Sequence, residues 1–158
     1  MADVTDAAAI AAIYNREVLE TTATFDIEPR TVTQQQDWLR ERSGAHVVLV
    51  SDDEESGVVG FASLSPYKPR PAYRTTVETS VYVDRDFRGS GIAVALMNEL
   101  LTTARTHGFH SVIARIEASQ EPSLALHKKV GFTHVGTERE VGRKFGRWLD
   151  VSIMQAVL

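Results

Sequence analysis

Arg88-Gly89-Ser90-Gly91-Ile92-Ala93 is the segment best equipped for chemistry. A strand-like run, Thr75 to Asp84, leads into it, and a helical run from about Ser90 to Thr106 leaves it. Two glycines at a strand-to-helix turn let the backbone approach a ligand closely and aim several N–H groups at one point. The first turn of the helix adds N–H groups without internal partners and the positive end of its dipole. Arg88 adds a fork of donors that suits phosphate oxygens. Together they predict a seat for a pyrophosphate. The plainer alternative is a pair of glycines that only shape a turn.

Other reactive side chains lie close by in sequence. Thr76, Glu78, Ser80 and Tyr82 alternate on one face of the preceding run, opposite Val77, Val81 and Val83. The Glu78 carboxylate is either a solvated charge on a sheet surface or a base. Arg70 and Arg74, with Lys68, flank a loop punctuated by Pro66, Pro69 and Pro71. A guanidinium grips a carboxylate through two parallel hydrogen bonds. Arg74 is therefore the first candidate for holding an acidic substrate, and a plain surface arginine is the alternative. His127 stands alone on a short helical run. His46, His107, His110 and His134 form no ligand cluster, so a metal is not expected. The acids of Ser51-Asp52-Asp53-Glu54-Glu55-Ser56-Gly57 lack the spacing of a calcium loop and read as a solvated hairpin turn. The chain has no cysteine, which removes disulfides, thiolate metal sites and any cysteine-bound acyl intermediate.

These residues need elements to position them. Ile10, Ile13, Tyr14 and Val18 share a helical stripe over Ala7 to Leu19. Thr33-x-x-Gln36 predicts a capping box opening a second helix that runs to about Arg42. His46 to Val50 and Val58 to Ser65 read as strands on either side of the acidic turn. Ala93, Leu96, Met97, Leu100, Leu101 and Ala104 give the central helix one buried face, and Gly108 ends it. Ser111 to Ile116 reads as a buried strand, and Ser123 to Val130 as a short helix stopped by Gly131. Thr133 to Val141 and Leu149 to Val157 form a last strand pair across a long loop, Gly142-Arg143-Lys144-Phe145-Gly146-Arg147-Trp148. This order predicts an α/β sheet with mixed strand directions, in a single domain over residues 1–158.

Composition narrows the function classes. The chain has 158 residues, 43% apolar and 24% charged, as expected of one globular domain with a sizeable core. A net charge of -4 gives no basic footprint for nucleic acid. No apolar run reaches membrane-spanning length. Met1-Ala2-Asp3-Val4-Thr5-Asp6 lacks the basic and apolar regions of a secretory signal, so a cytoplasmic setting is expected.

Arg88-x-x-Gly91-x-Ala93 resembles the acetyl-coenzyme A motif of the GNAT superfamily of N-acetyltransferases, Gln/Arg-x-x-Gly-x-Gly/Ala. The resemblance widens with Ile13-Tyr14-Asn15, Thr76-Val77-Glu78-x-Ser80-Val81-Tyr82-Val83, Ala125-Leu126-His127-x-x-x-Gly131-Phe132 and Lys144-Phe145-Gly146-Arg147-Trp148-Leu149-Asp150. This ordered set is similar to the phosphinothricin or methionine sulfoximine N-acetyltransferase branch, from about Ala7 to Leu158. There are two departures. The family begins with a full strand, whereas only a few residues precede the first helix here. The family also places Asn in a coenzyme-contacting loop where this chain has Gln120.

The resemblance implies a single-domain fold with a mixed, mostly antiparallel twisted sheet and helices on both faces. It implies a coenzyme slot between two splayed parallel central strands. Acetyl-coenzyme A is the implied co-substrate, with no metal, a small amino acid or analogue as acceptor, and a homodimer as the assembly. Coenzyme contacts carry over to Val81, Tyr82, Val83, Arg88, Gly89, Ser90, Gly91, Ile92, Ala93, Val94, Gln120, Ser123 and Lys129. Glu78 falls where a base near the substrate amine is expected, and His127 where many members carry a tyrosine that protonates the coenzyme sulfur. Arg74, Arg70, Lys68, Thr79, Ser80, Phe25, Lys144 and Phe145 are the implied acceptor contacts. Two rival readings stand beside this one. In a dinucleotide-binding domain, Gly89-Ser90-Gly91 would seat the phosphates and Glu117 a ribose, although Val94 replaces the third glycine. The other rival is a module of the same fold that binds the coenzyme without catalysis.

Overall fold

Two sequence periods, near 3.6 and 2, build the elements of the computed structural model, which describes residues 1–42 and 44–158. They are helices α1 (Ala7–Glu20), α2 (Val32–Glu41), α3 (Ile92–Thr106) and α4 (Glu121–Lys129), and strands β1 (Val48–Asp53), β2 (Gly57–Pro66), β3 (Thr76–Val83), β4 (Ser111–Glu117), β5 (Thr133–Lys144) and β6 (Arg147–Val157). The sheet order is β1-β2-β3-β4-β6-β5. β3 and β4 are the parallel pair; the other neighbours run antiparallel. The expected mixed sheet is therefore present.

Alternation along the strands sends side chains to two helical layers. Val48 and Phe61 pack with Ile10, Ile13, Tyr14, Val18 and Leu39 under α1 and α2. Leu49, Ala62, Leu64, Val77, Val112 and Ala114 pack with Met97, Leu100 and Leu101 on the opposite face, under α3. Both faces are thus sealed around the centre of the sheet, and each Val, Leu, Ile, Phe or Met side chain among them contributes roughly 1.5–3 kcal/mol when fully buried.

The feature that makes a site is where pairing stops. The β3–β4 ladder runs from Thr76↔Ser111 to Thr79↔Ala114 and ends there. β3 continues to Val83 and β4 to Glu117, so the two strands part and leave a slot between their carboxyl ends.

Two boundaries differ from the sequence reading, the second-helix cap and the last loop, while the start of the chain follows the departure from the family noted there. The capping box is formed by Thr31 and Gln34, not Thr33 and Gln36: Gln34 N donates to Thr31 Oγ1 at 3.2 Å and Thr31 N to Gln34 Oε1 at 2.8 Å. The same signature occurs twice in Thr31-Val32-Thr33-Gln34-Gln35-Gln36, and the first copy sits where the chain is still extended. Before α1 there is a 3-10 turn over Val4–Asp6, and Ala2 N reaches Val48 O at 2.9 Å in place of an opening strand. The loop expected over Gly142–Trp148 is instead a tight turn. β5 and β6 extend to Lys144 and Arg147, and Phe145 and Gly146 turn the chain with φ of 50° and 73°. Two successive left-handed residues match the twist of a two-residue hairpin, so the strands need no long connection.

Candidate active site

The slot opens into a cleft of about 460 Å³. Thr79, Ser80, Val81, Tyr82 and Val83 form one wall, and Ala114, Arg115, Ile116 and Gln120 the other. At its mouth lie Arg88, Gly89, Gly91, Ile92, Ala93 and Val94, at the start of α3. Gly91 caps that helix with φ of 90°, a left-handed conformation open to glycine. Among the described residues, the backbone N–H groups of Gly89 to Val94 donate to no protein acceptor, whereas Ala95 N resumes the helical pattern by donating to Gly91 O at 3.0 Å. A row of free donors at a helix start suits a diphosphate. Ser90 spends its hydroxyl elsewhere, donating to Phe87 O at 2.6 Å.

Arg88 lies at this mouth but does not present a free fork. Its Nε donates to Val83 O at 3.1 Å and its Nη2 to Glu17 Oε1 at 2.8 Å. Glu17 is buried in α1 and also holds Arg85 Nε at 3.1 Å. The arginine braces the loop against α1, and the unpaired donors at this mouth are chiefly backbone.

α4 forms the far wall. His127 is buried, edge-on to Phe132, and its Nδ1 lies 2.8 Å from Ser123 O. A carbonyl only accepts, so Nδ1 carries the proton and Nε2, which has no partner, presents a lone pair. Burial lowers the His127 pKa, only partly offset by the Ser123 bond, so the ring is neutral at pH 7. A neutral ring with this tautomer accepts at Nε2; donation there requires the imidazolium. Gln120 turns its amide to Thr22 Oγ1 at 3.2 Å and sits beside Glu117. Burial would raise the pKa of Glu117, but hydrogen bonds from Ser119, Thr22 and Gln120 outweigh it and hold the group low. Glu117 is therefore committed to organising the loop. That role and the lone parallel strand pair remove the dinucleotide-binding reading. Ser123 and the exposed Lys129 complete this rim.

A second cavity, of about 290 Å³, lies on the α1–α2 side of β3. Glu78, Thr79, Ser80 and Tyr82 line it together with Tyr14, Arg30, Trp38, Arg42, Phe61, Ser63 and Ser65. Thr79, Ser80 and Tyr82 are common to both cavities, so the two meet across β3. Burial raises the Glu78 pKa; Arg115 opposes this and Glu138, paired to Arg115 at 2.5 Å, supports it. A carboxylate lifted towards neutrality is a better proton acceptor than an ordinary one. Burial, with Asp26 accepting from its hydroxyl, pushes Tyr14 up to about 12, and burial also raises Tyr82, so neither phenol supplies a base at neutral pH.

Several implied acceptor contacts stand apart from both cavities. Arg74 ends the 3-10 turn Pro71–Tyr73 and is exposed, as is Arg70. Lys68 lies over the Tyr67 and Tyr73 rings. Phe25 packs at Gly142, where an added Cβ would run into its ring. Lys144 is buried with Nζ donating to Thr24 O at 2.8 Å, so it ties the 21–26 segment to β5. Phe145 is the exposed hairpin tip. Within this chain these residues do not line the smaller cavity. Arg30, Trp38 and Arg42, which do line it, were not singled out by motif. Their signal is faint: Trp38 and Arg42 lie four apart at the end of a polar helix. Among the described residues no group of three or more His, Asp or Glu could hold a metal, and no helix is long and apolar enough to cross a membrane.

Comparison with known proteins agrees with this geometry. A family model described as Acetyltransferase (GNAT) family matches residues 10–132. An L-methionine sulfoximine/L-methionine sulfone acetyltransferase of Pseudomonas paraeruginosa is 42% identical over 156 residues, covering 98% of this chain and 90% of that protein. The crystal structure of a phosphinothricin acetyltransferase from Sinorhizobium meliloti in complex with acetyl-CoA superposes with a TM-score of 0.95 at 35% identity, covering 99% of this chain and 85% of that one. A ribosomal-protein-alanine N-acetyltransferase from Brucella melitensis superposes with a TM-score of 0.96 at 41% identity, covering 99% and 97%.

Proposed function

Since the chain belongs to the GNAT acetyltransferase family, we propose that it moves an acetyl group from acetyl-CoA directly to the α-amino group of a small amino acid or analogue of the methionine sulfoximine, methionine sulfone or phosphinothricin type. The observation that carries this reading is the meeting of the two cavities at Thr79, Ser80 and Tyr82, with Glu78 facing the smaller one. The unpaired N–H row at the start of α3 and the unpaired edges of β3 and β4 fit the diphosphate and the extended arm of the co-substrate.

When bound, acetyl-CoA supplies an activated thioester. The chain's own residues do the rest. Gly89 to Val94 hold the diphosphate by backbone N–H groups. Ser80 to Val83 offer a strand edge that aligns the arm. Glu78 takes the proton that the amine loses as its nitrogen bonds to the acetyl carbon and the carbon–sulfur bond breaks. His127 Nε2, as a lone pair, accepts a hydrogen bond from the cleft; a thiol proton must come from solvent or from the imidazolium. Positioning of this kind contributes about 7–11 kcal/mol, and a placed base about 10²–10⁴-fold, so alignment carries the larger share.

The test is release of free thiol from acetyl-CoA with methionine sulfoximine, methionine sulfone, phosphinothricin and an alanine-initiated peptide as acceptors. Turnover on the free amino acids is expected. Binding of acetyl-CoA with no turnover on any amine would instead favour the non-catalytic module. The homodimer is part of the same proposal: the β5–β6 hairpin exposes Val135, Val141, Phe145 and Trp148. Sedimentation velocity is expected to give twice the 17.5 kDa chain mass, and a monomer would refute that assembly.

A further inference from the structure

The smaller cavity holds two guanidiniums, of which one is paired directly to a carboxylate. Arg30 reaches it from the segment before α2 and Arg42 from the residue after that helix. Arg30 is balanced by Asp26, with Nη2 donating to Oδ2 at 3.1 Å. Arg42 has no carboxylate partner among the described residues. It stacks on Trp38, 3.9 Å from the ring centroid, and donates to Leu64 O and, at 2.7 Å, to Ser65 Oγ. Its Nε is buried without an acceptor. Burial, with Arg30 as neighbouring cation, lowers the Arg42 pKa to about 10. Removing a cation from water next to a like charge is costly unless a counterion completes the site.

The position of that missing charge is set by the sheet. Ser65 pairs with Glu78 across β2 and β3, and Arg42 bonds to Ser65. The Arg42 guanidinium is thus held at the strand position opposite Glu78, and both groups line the same cavity. Directly opposed positions on neighbouring strands are about 5 Å apart. An α-amino acid carries its amine and its carboxylate on one carbon, so a base and a guanidinium in one small cavity can engage both groups at once.

Resting on the acetyltransferase reading, we propose that Arg42, stacked on Trp38 and backed by Arg30, is the seat for the α-carboxylate of the acceptor, and that it selects free amino acids over peptide N-termini. A peptide presents a neutral amide at that point and leaves the guanidinium uncompensated, which is how a site built for one polar group rejects its absence.

Trp38 allows a test that does not need turnover. The chain has two tryptophans, so in Trp148→Phe protein the remaining fluorescence reports on Trp38 alone. Titration with methionine sulfone, glutamate or alanine should give a saturable change. The carboxamide of the amino acid that responds should bind at least about tenfold more weakly, as expected for loss of a charged hydrogen-bonding partner. Arg42→Gln should abolish most of that difference. In steady state, Arg42→Gln should raise KM for the free acid about tenfold or more while leaving KM for the carboxamide nearly unchanged. The acid-against-carboxamide comparison uses unsubstituted Arg42, so it stands even if Arg42→Gln folds poorly. Equal affinity for acid and carboxamide, no response to any of the three acids, or an Arg42→Gln protein that still prefers the acid would each overturn the proposal. A Trp38 response without thiol release on any amine would refute the acetyltransferase reading and leave the carboxylate seat intact. Efficient acetylation of peptides and carboxamides but not of free acids would do the reverse.

Discussion

In the proposed reaction Glu78 is the base on which the chemistry turns. Its carboxyl is half-buried, and burial lifts its pKa above the ordinary carboxylate value. The base form is the ionised one, so activity should fall as pH drops through this raised pKa. The acid limb of kcat/KM should therefore lie above pH 4.5, the usual value for glutamate. Arg115 lowers that pKa and Glu138 raises it. Removing the cation in Arg115→Gln should move the limb to higher pH, and Glu138→Gln should move it lower. A limb that stays fixed in both variants would assign it to another group. Glu78→Gln keeps the shape and removes the base, so kcat should fall about 10²-fold or more with acetyl-CoA affinity retained. Isothermal calorimetry alongside thiol release separates the two quantities; unchanged kcat would remove Glu78 from the role.

Among the elements, the start of α3 is the one whose backbone is the proposed ligand site. Gly91 holds φ of 90° as its cap, and a Cβ there meets nothing within 4 Å. The penalty of Gly91→Ala is thus conformational and not steric. It should destabilise the fold by about 1–3 kcal/mol, read by urea denaturation, and weaken acetyl-CoA binding as the N–H row turns away. Full affinity in that variant would argue against a backbone seat. This loop was legible in the sequence because two glycines between a strand and a helix act locally. The smaller cavity was legible only in part: Glu78, Thr79 and Ser80, singled out in the sequence, line it, whereas Arg30, Trp38 and Arg42 carry no motif. Arg74 is close to Glu78 in sequence, but a strand advances about 3.3 Å per residue, and the intervening residues carry Arg74 to the outer end of β3. Arg30 and Arg42 are far from Glu78 in sequence and reach it only because α1 and α2 pack on β2 and β3. The turn at Phe145 escaped for a different reason: a phenylalanine at positive φ is uncommon, and nothing in its neighbours announces it. The brace from Glu17 to Arg85 and Arg88 likewise joins residues about seventy positions apart, across a contact no local pattern encodes.

At the scale of the whole molecule, the proposed reaction requires the two cavities that meet at Thr79, Ser80 and Tyr82 to be filled together. α1, α2, β2 and β3 build the acceptor side, while α3, α4 and β4 build the long cleft. Thr22 Oγ1 donates to Glu117 at 2.8 Å and Lys144 Nζ to Thr24 O at 2.8 Å, so the 21–26 segment ties the two halves across the splay. The order of events follows from this arrangement. With no cysteine in the chain, and with the two cavity phenols, Tyr14 and Tyr82, pushed up, neither a thiol nor a cavity phenolate is placed to hold the acetyl group between half-reactions. The amine has to meet the thioester directly, with both substrates present at once. Initial rates measured over a matrix of acetyl-CoA and amino-acid concentrations should give intersecting double-reciprocal lines. Mass spectrometry after incubation with acetyl-CoA alone should find the chain unmodified. Parallel lines together with an acetylated chain that passes its group to the amine on later addition would replace direct transfer by a covalent relay, and would move the essential group off Glu78 to whichever side chain carried the label.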